Sequence, residues 1–259
     1  MPASDLNLLI DAALIAGRVA TSYAGKTAQR WDKPDGAGPV TEADLAVNNM
    51  LSATLPIVRP TYGWLSEETE DTAARLSRDK VFIIDPIDGT RSYAEGASTW
   101  AHSFAVSEGG QITAAVVYLP MLKKMYSAAL GKGAWLNGEP LRVSNQPKLS
   151  NASVLATKVN MEPRFWPNGA PDIDRQHRPS LAYRLALVAQ GKFDAMFTFR
   201  PSWEWDIAAG ALIVSEAGGI ITDQIGGQLV FNGPEALLNG IIAGGPDIHE
   251  QSLAARHTA

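Results

Sequence analysis

The sequence predicts a mixed fold of the α+β or α/β class, and three observations carry that reading. Short runs of β-branched and aromatic residues, such as Val81-Phe82-Ile83-Ile84, are too brief for helices and end in turn formers. Longer stretches have helical spacing instead; in residues 5–19, Leu8, Leu9, Ala12, Ala13, Ile15, Ala16 and Val19 form one apolar stripe. Between the two patterns stand punctuating residues, among them Gly109-Gly110, Pro120 and Gly218-Gly219. A chain of 259 residues, 46% of them hydrophobic, can bury a core large enough for one domain or two closely packed subdomains.

The first helix carries Asp5 and Asp11 among its apolar positions and lacks a basic segment followed by a pure apolar block, so it does not read as a signal peptide. No apolar run is long enough to cross a bilayer, and a cytoplasmic location is expected. Residues 25–39 read as a polar loop containing Lys33. Thr41 then opens a second helix, with Asp44 completing a capping-box pattern that accounts for both residues without any chemistry. Trp64-Leu65-Ser66-Glu67-Glu68-Thr69 is a short apolar stretch ending in adjacent acids, and one helix is expected before the strand at 81–84. Strands at 103–107, 112–119 and 125–129 suggest an antiparallel region. Pro140, Asn145, Pro147 and Asn151 mark a connection, placing a boundary between residues 1–145 and 146–259. Beyond it come a helix over 180–190 closed by Gly191, a strand at 193–199, a helix from Asp206 to the glycine pair, strands at 220–222 and 240–243, and a last helix from about Asp247.

Several chemistries are excluded at once. The absence of cysteine removes disulfides, thiolate nucleophiles and zinc–thiolate sites. His102, His177, His249 and His257 have no zinc-binding spacing. A formal charge of −5 offers no basic footprint for nucleic acid.

What remains is carboxylate chemistry. In Asp85-Pro86-Ile87-Asp88-Gly89-Thr90 a buried strand ends on two acids, Pro86 stops its ladder and Gly89 permits a tight turn. Asp85, the Ile87 carbonyl and Asp88 can present three oxygens to a hard divalent cation; an Asx-turn explains the same residues without one. Glu67 ends a strand of its own, and pairing of the two strands would bring it beside Asp85. Trp203-Glu204-Trp205-Asp206-Ile207-Ala208-Ala209-Gly210 opens a helix where Asp206 suits the positive dipole, so capping and metal binding both account for it. The Asp85–Asp88 spacing is one residue too long for the aspartyl-phosphate pattern.

Together these three segments, with Val40-Thr41-Glu42-Ala43-Asp44 before them, resemble the motif set of the inositol monophosphatase family, the lithium-sensitive Mg²⁺-dependent phosphatases. The resemblance spans the chain. It implies a layered α-β-α-β-α sandwich and two or three Mg²⁺ ions held by Glu67, Asp85, the Ile87 carbonyl, Asp88 and Asp206. It also implies a water oriented by Glu67 and Thr90, and a phosphate held near Asp88, Gly89, Thr90 and Asp206. Lys33 and Asp44 would belong to an outer shell. Li⁺ would inhibit, and the expected assembly is a homodimer acting on a small phosphorylated metabolite, with neither membrane nor nucleic acid as partner.

The form of the Glu67 and Asp206 segments is closest to bacterial 3′(2′),5′-bisphosphate nucleotidases. The acid that many inositol-selective members place before the Asp206 motif is absent, and Thr198, Phe199 and Arg200 stand in its neighbourhood. Arg200 suits a second phosphate or, equally, a solvent-facing strand end. Tyr183 and Arg184 are further candidates for the pocket. Trp203 and Trp205 offer a flat wall for a ring or, alternatively, packing beneath the helix. Inositol 1-phosphate, histidinol phosphate and fructose 1,6-bisphosphate remain alternative substrates. A regulatory RNA- or protein-binding member of the family is the non-enzymatic alternative.

Overall fold

A computed structural model describes residues 4–23, 29–32 and 38–256. The chain begins with α1 (Asp5–Ser22), the short antiparallel ribbon β1 (Arg30–Asp32) and β2 (Pro39–Thr41), and α2 (Glu42–Val58). A seven-stranded sheet follows in sequential order: β3 (Gly63–Ser66), β4 (Lys80–Asp88), β5 (Ala101–Glu108), β6 (Gln111–Leu119), β7 (Lys124–Ala129), β8 (Ala134–Leu136) and β9 (Glu139–Pro140). The short helix α3 (Thr90–Ala94) interrupts it after β4. Only β3 and β4 are parallel; the remaining neighbours form an antiparallel meander.

The chain then enters a second sheet made of β10 (Ser153–Leu155), β11 (Asp174–Gln176), β12 (Ala195–Thr198), β14 (Ile220–Thr222) and β16 (Ile241–Gly244). Between these strands come α4 (Leu181–Ala189), the strand β13 (Ser202–Trp203), which pairs with β15 (Leu237–Leu238), and α5 (Glu204–Glu216); α6 (Pro246–Arg256) closes the chain.

Side-chain alternation along β4 explains the layering. Phe82 and Ile84 point into a core shared with α1 and α2, whereas Val81 and Ile83 point into one shared with α4 and α5. Helix α5 is apolar nearly all round, as a helix buried between two sheets must be. A third core lies beyond the second sheet, where Val154, Phe197 and Ile242 meet Trp166 and Ile248. The order is therefore helix, sheet, helix, sheet, helix, as the family resemblance implies. The middle core draws on both sheets.

Two local expectations need correction. The described ends of the 25–39 segment pair as a ribbon, because extended residues beside Thr41 have free ladder groups to share. Between Glu67 and β4 there is no α-helix but a 3₁₀ turn, Ala73–Ser77, whose side chains offer too little apolar surface to hold more. Among the described residues no helix is long and apolar enough to cross a membrane.

Candidate metal and substrate site

Strand β4 is buried from Val81 to Asp88, so its end is fixed from both sides. Pro86 cannot donate to the ladder, and the register slips: Asp85 faces Ser103 and Asp88 faces Ala101. His102 lies opposite the slip with Nδ1 hydrogen-bonded to the Pro86 carbonyl. Burial pushes its pKa down to about 4, so it stays neutral and structural. Gly89, at φ +96°, turns the chain into α3.

Glu67 reaches this point because β3 runs parallel to β4, with Ser66 opposite Ile84; the Glu67 N–H donates to the Ile84 carbonyl at 3.2 Å. Asn48 on α2 holds the turn, accepting from Ser66 Oγ at 2.8 Å and donating to the Glu68 carbonyl at 3.2 Å. Asp206 arrives from the other half of the molecule. It is the third residue of α5, behind Trp203 at the cap position, so it is not the N-cap. Ser103, opposite Asp85, donates to the Trp205 carbonyl at 2.8 Å and docks the start of α5 against the strand.

Carboxylate oxygens of Asp85, Asp88 and Asp206 lie within 4.8 Å of one another. Both Asp85 oxygens are buried and have no hydrogen-bond partner. Burial, then the charges of Glu67, Asp88 and Asp206, raise the Asp85 pKa well above the ordinary carboxylate range. Asp206 is raised in the same way, by burial and then by Asp88 and Glu67. Asp88 is pushed up to about 6 by burial, although Ser180 Oγ at 2.7 Å and the Ala182 N–H at 2.6 Å both donate to it. Buried, mutually repelling carboxylates with orphaned oxygens are the donor set that suits Mg²⁺.

Asp44 has two tasks. One oxygen takes the Thr41 N–H at 2.9 Å and the Thr41 hydroxyl, capping α2; the other lies 3.1 Å from the Thr90 hydroxyl. That hydroxyl is also 3.1 Å from the Ile87 carbonyl. Burial pushes the Asp44 pKa up to about 6.

Beside Asp88 and Asp206 opens a cavity of about 610 Å³, lined also by Phe165, Phe199, Arg184 and Arg200. Arg200 stands at its exposed rim. Arg184 is buried, donating to the Arg178 carbonyl and to His177 Nε2 at 2.8 Å, and pairs with no carboxylate among the described residues. Trp203 and Trp205 stack on each other, ring centres 4.8 Å apart, and neither lines the cavity. Lys33 falls outside the described residues.

The whole chain, residues 2–259, matches the profile of the inositol monophosphatase family. The protein belongs to that family. An inositol-1-monophosphatase of Mesorhizobium japonicum is 31% identical to it over 96% of this chain and 94% of its own. The Nus factor SuhB of Escherichia coli K12 is 32% identical over the same shares. Among solved structures, the suhB protein of Bartonella henselae superposes with a TM-score of 0.82 at 30% identity, covering 98% of each chain. An inositol monophosphatase of Thermotoga maritima gives 0.82 at 28% identity, covering 96% of this chain and 95% of its own. As an inositol monophosphatase family member the protein is a phosphatase.

The motif residues thus come together. Sequence reasoning missed Asn48 and Ser180. Asn48 follows Asp44 by one helical turn, which puts both on one face. Ser180 has the commoner signal of a serine immediately before a helix.

Proposed function

We propose that the protein hydrolyses a small phosphomonoester carrying a second anionic group, with a 3′(2′),5′-bisphosphate nucleotide as the leading candidate. The observation that supports this most is the adjacency of the orphaned Asp85 carboxylate cluster to a cavity with three arginines, Arg164, Arg184 and Arg200, and no carboxylate beyond Asp88 and Asp206. A polyol such as inositol 1-phosphate is held best by a carboxylate accepting from its hydroxyls, and beyond Asp88 and Asp206 the lining offers only neutral acceptors, Thr157, Asn160, Ser180 and Thr198. The relatives named as inositol-1-monophosphatases keep that substrate as the alternative.

In this reading Glu67, Asp85, the Ile87 carbonyl, Asp88 and Asp206 would hold Mg²⁺. When bound, the ions supply the positive charge that acidifies a water and draws in the phosphate. Glu67 and the Thr90 hydroxyl orient the attacking water. Thr90 passes a proton toward Asp44, whose pKa near 6 suits a base at neutral pH. The water oxygen bonds to phosphorus as the ester P–O bond breaks in line. The departing oxygen leaves as an alkoxide and takes a proton from a solvent water, on the side where Asp206 would hold a cation against its negative charge, and backbone N–H groups at Gly89 and Thr90 steady the phosphate. Li⁺ inhibits by replacing an ion with one of lower charge, and the protein works as a cytoplasmic homodimer.

The test is phosphate release from adenosine 3′,5′-bisphosphate, inositol 1-phosphate, histidinol phosphate and fructose 1,6-bisphosphate, with Mg²⁺ and after exhaustive chelation. A preference for the first that vanishes on chelation is expected. Turnover that survives chelation ends the metal reading; a preference for inositol 1-phosphate ends the second-anion reading. No release from any substrate, with RNA bound at physiological salt, would favour a role like that named for the Nus factor relative.

A further inference from the structure

Two further buried ions stand outside both the carboxylate cluster and the cavity beside it. Arg75, in the 3₁₀ turn Ala73–Ser77, is 2% exposed. Its guanidinium grips Asp71 through two bonds of 2.7 Å each, and its other donors reach Asn232 Oδ1 at 2.7 Å and the Gly233 carbonyl at 2.9 Å. Glu204, the first residue of α5, is 1% exposed and accepts from the Asn232 N–H at 2.6 Å and the Gly233 N–H at 2.8 Å. The dipeptide Asn232-Gly233 is thereby held on both sides, its acceptors by Arg75 and its donors by Glu204. Asn232 sits at φ +60°, a conformation asparagine tolerates.

Each arm of this junction leads to a carboxylate of the site. The Asp71–Arg75 arm follows directly on the turn that carries Glu67, and Glu204 precedes Asp206 by a single intervening residue. Burying two charges is costly, and what such an arrangement provides in return is fixed geometry. Fixed geometry matters here because the carboxylates repel one another. Released from their anchors they would relax apart and lose the close convergence a small cation requires. Ser103 anchors the start of α5 through the Trp205 carbonyl, and the junction anchors it through the Glu204 side chain.

We propose that the Arg75–Asn232–Glu204 junction is a positioning device that sets where Asp206 stands relative to Glu67, and so sets the affinity of the ion Asp206 holds, without touching substrate. The inference rests on the carboxylate cluster being the metal site.

Mn²⁺ titration of the phosphate-free protein, followed by electron paramagnetic resonance, separates the two. Glu204→Gln keeps the volume but loses one acceptor and the charge facing Arg75; Arg75→Lys keeps the charge but loses the two-pronged grip. In both, the Mn²⁺ whose binding Asp206→Asn abolishes should bind about 10-fold or more worse, while any other bound ion changes less than threefold. Half-saturating Mg²⁺ for turnover should rise in parallel, with KM for substrate at saturating Mg²⁺ near its original value. Asn232→Gly, compatible with the positive φ and stripping only the side-chain contact, should give an intermediate shift and covers the case in which a charge substitution fails to fold. Unchanged Mn²⁺ affinities beside a lowered melting temperature would overturn the proposal, leaving the junction structural only. If the unsubstituted protein binds no Mn²⁺, the metal-site reading itself has failed.

Discussion

Asp85 is a buried carboxylate to which nothing donates, surrounded by others of its kind. Asp85→Asn should therefore uncouple stability from activity. If Asp85 holds an ion as proposed, turnover should fall by about 10³-fold or more. The chelated variant should melt higher than the chelated parent, by about 2–4 °C for each kcal/mol of repulsion relieved. Asp88→Asn should behave likewise in assay, and near-normal turnover would remove it from the site. Thr90 makes a finer test: Thr90→Ala should lower kcat by about 10²–10⁴-fold, and Thr90→Ser, which keeps a hydroxyl for Asp44, should recover most of it. Steady-state assays at saturating Mg²⁺ check both. For the arginines exposure decides the magnitude. A contact to the solvated Arg200 is screened, whereas the buried Arg184 has only neutral acceptors and must keep its charge. Arg200→Ala should lower kcat/KM for adenosine 3′,5′-bisphosphate relative to inositol 1-phosphate by about 10-fold, toward the low end for charge-assisted hydrogen bonds. Equal effects on both substrates would dismiss the second-anion role. The carboxylates were legible in the sequence because a strand end, a proline and an acid form a local pattern. Asn48, Ser180 and Arg75 were not, because their roles depend on partners from distant segments.

Among the elements, β4 and α5 are the pair on which the site depends. They meet because α4 and α5 pack closely where Gly210 lies; a Cβ there would stand 2.5 Å from the Cβ of Leu185. Gly210→Ala should destabilise the protein by about 1–3 kcal/mol through overpacking, and with Leu185→Gly, which removes that Cβ, the double variant should lose less than the sum of the two single losses. Denaturant unfolding of the single and double variants measures this; additive losses would show that the two sites do not communicate. Periodicity revealed α5 as a buried helix and β4 as a strand, since both patterns are continuous and strong. It did not reveal the β1–β2 ribbon, whose first strand is exposed throughout and too short for a period to repeat. Nor did it separate the 3₁₀ turn at Ala73–Ser77 from a helix, since five residues are too few for either period to repeat.

For the whole molecule, the acids impose an unusual dependence on pH. Asp44 and Asp88 titrate near 6 in the folded protein against an ordinary value of 3.8, so the fold binds more protons than the unfolded chain in that window. Their contribution to stability is full below the ordinary value and is lost as pH rises through 6. Chelated protein should accordingly melt higher at pH 5 than at pH 7, and saturating Mg²⁺ should reverse the order because acid then competes with the ion. Thermal melts at the two pH values decide it, and a chelated protein that weakens on acidification would contradict the burial argument. The five layers were expected from the family resemblance rather than from pattern alone, because periodicity says which face is buried and not what covers it. The same layering has a consequence during synthesis. Asp85 and Asp88 leave the ribosome early, but Asp206 and the Asn232-Gly233 support follow more than a hundred residues later. At about 5–20 residues per second, a nascent chain spends many seconds with its acids exposed to one another and no complete cage around them. On the proposed site, cation capture would be deferred until translation is nearly finished, and a truncated product lacking α5 would be an inert polypeptide rather than an unregulated hydrolase.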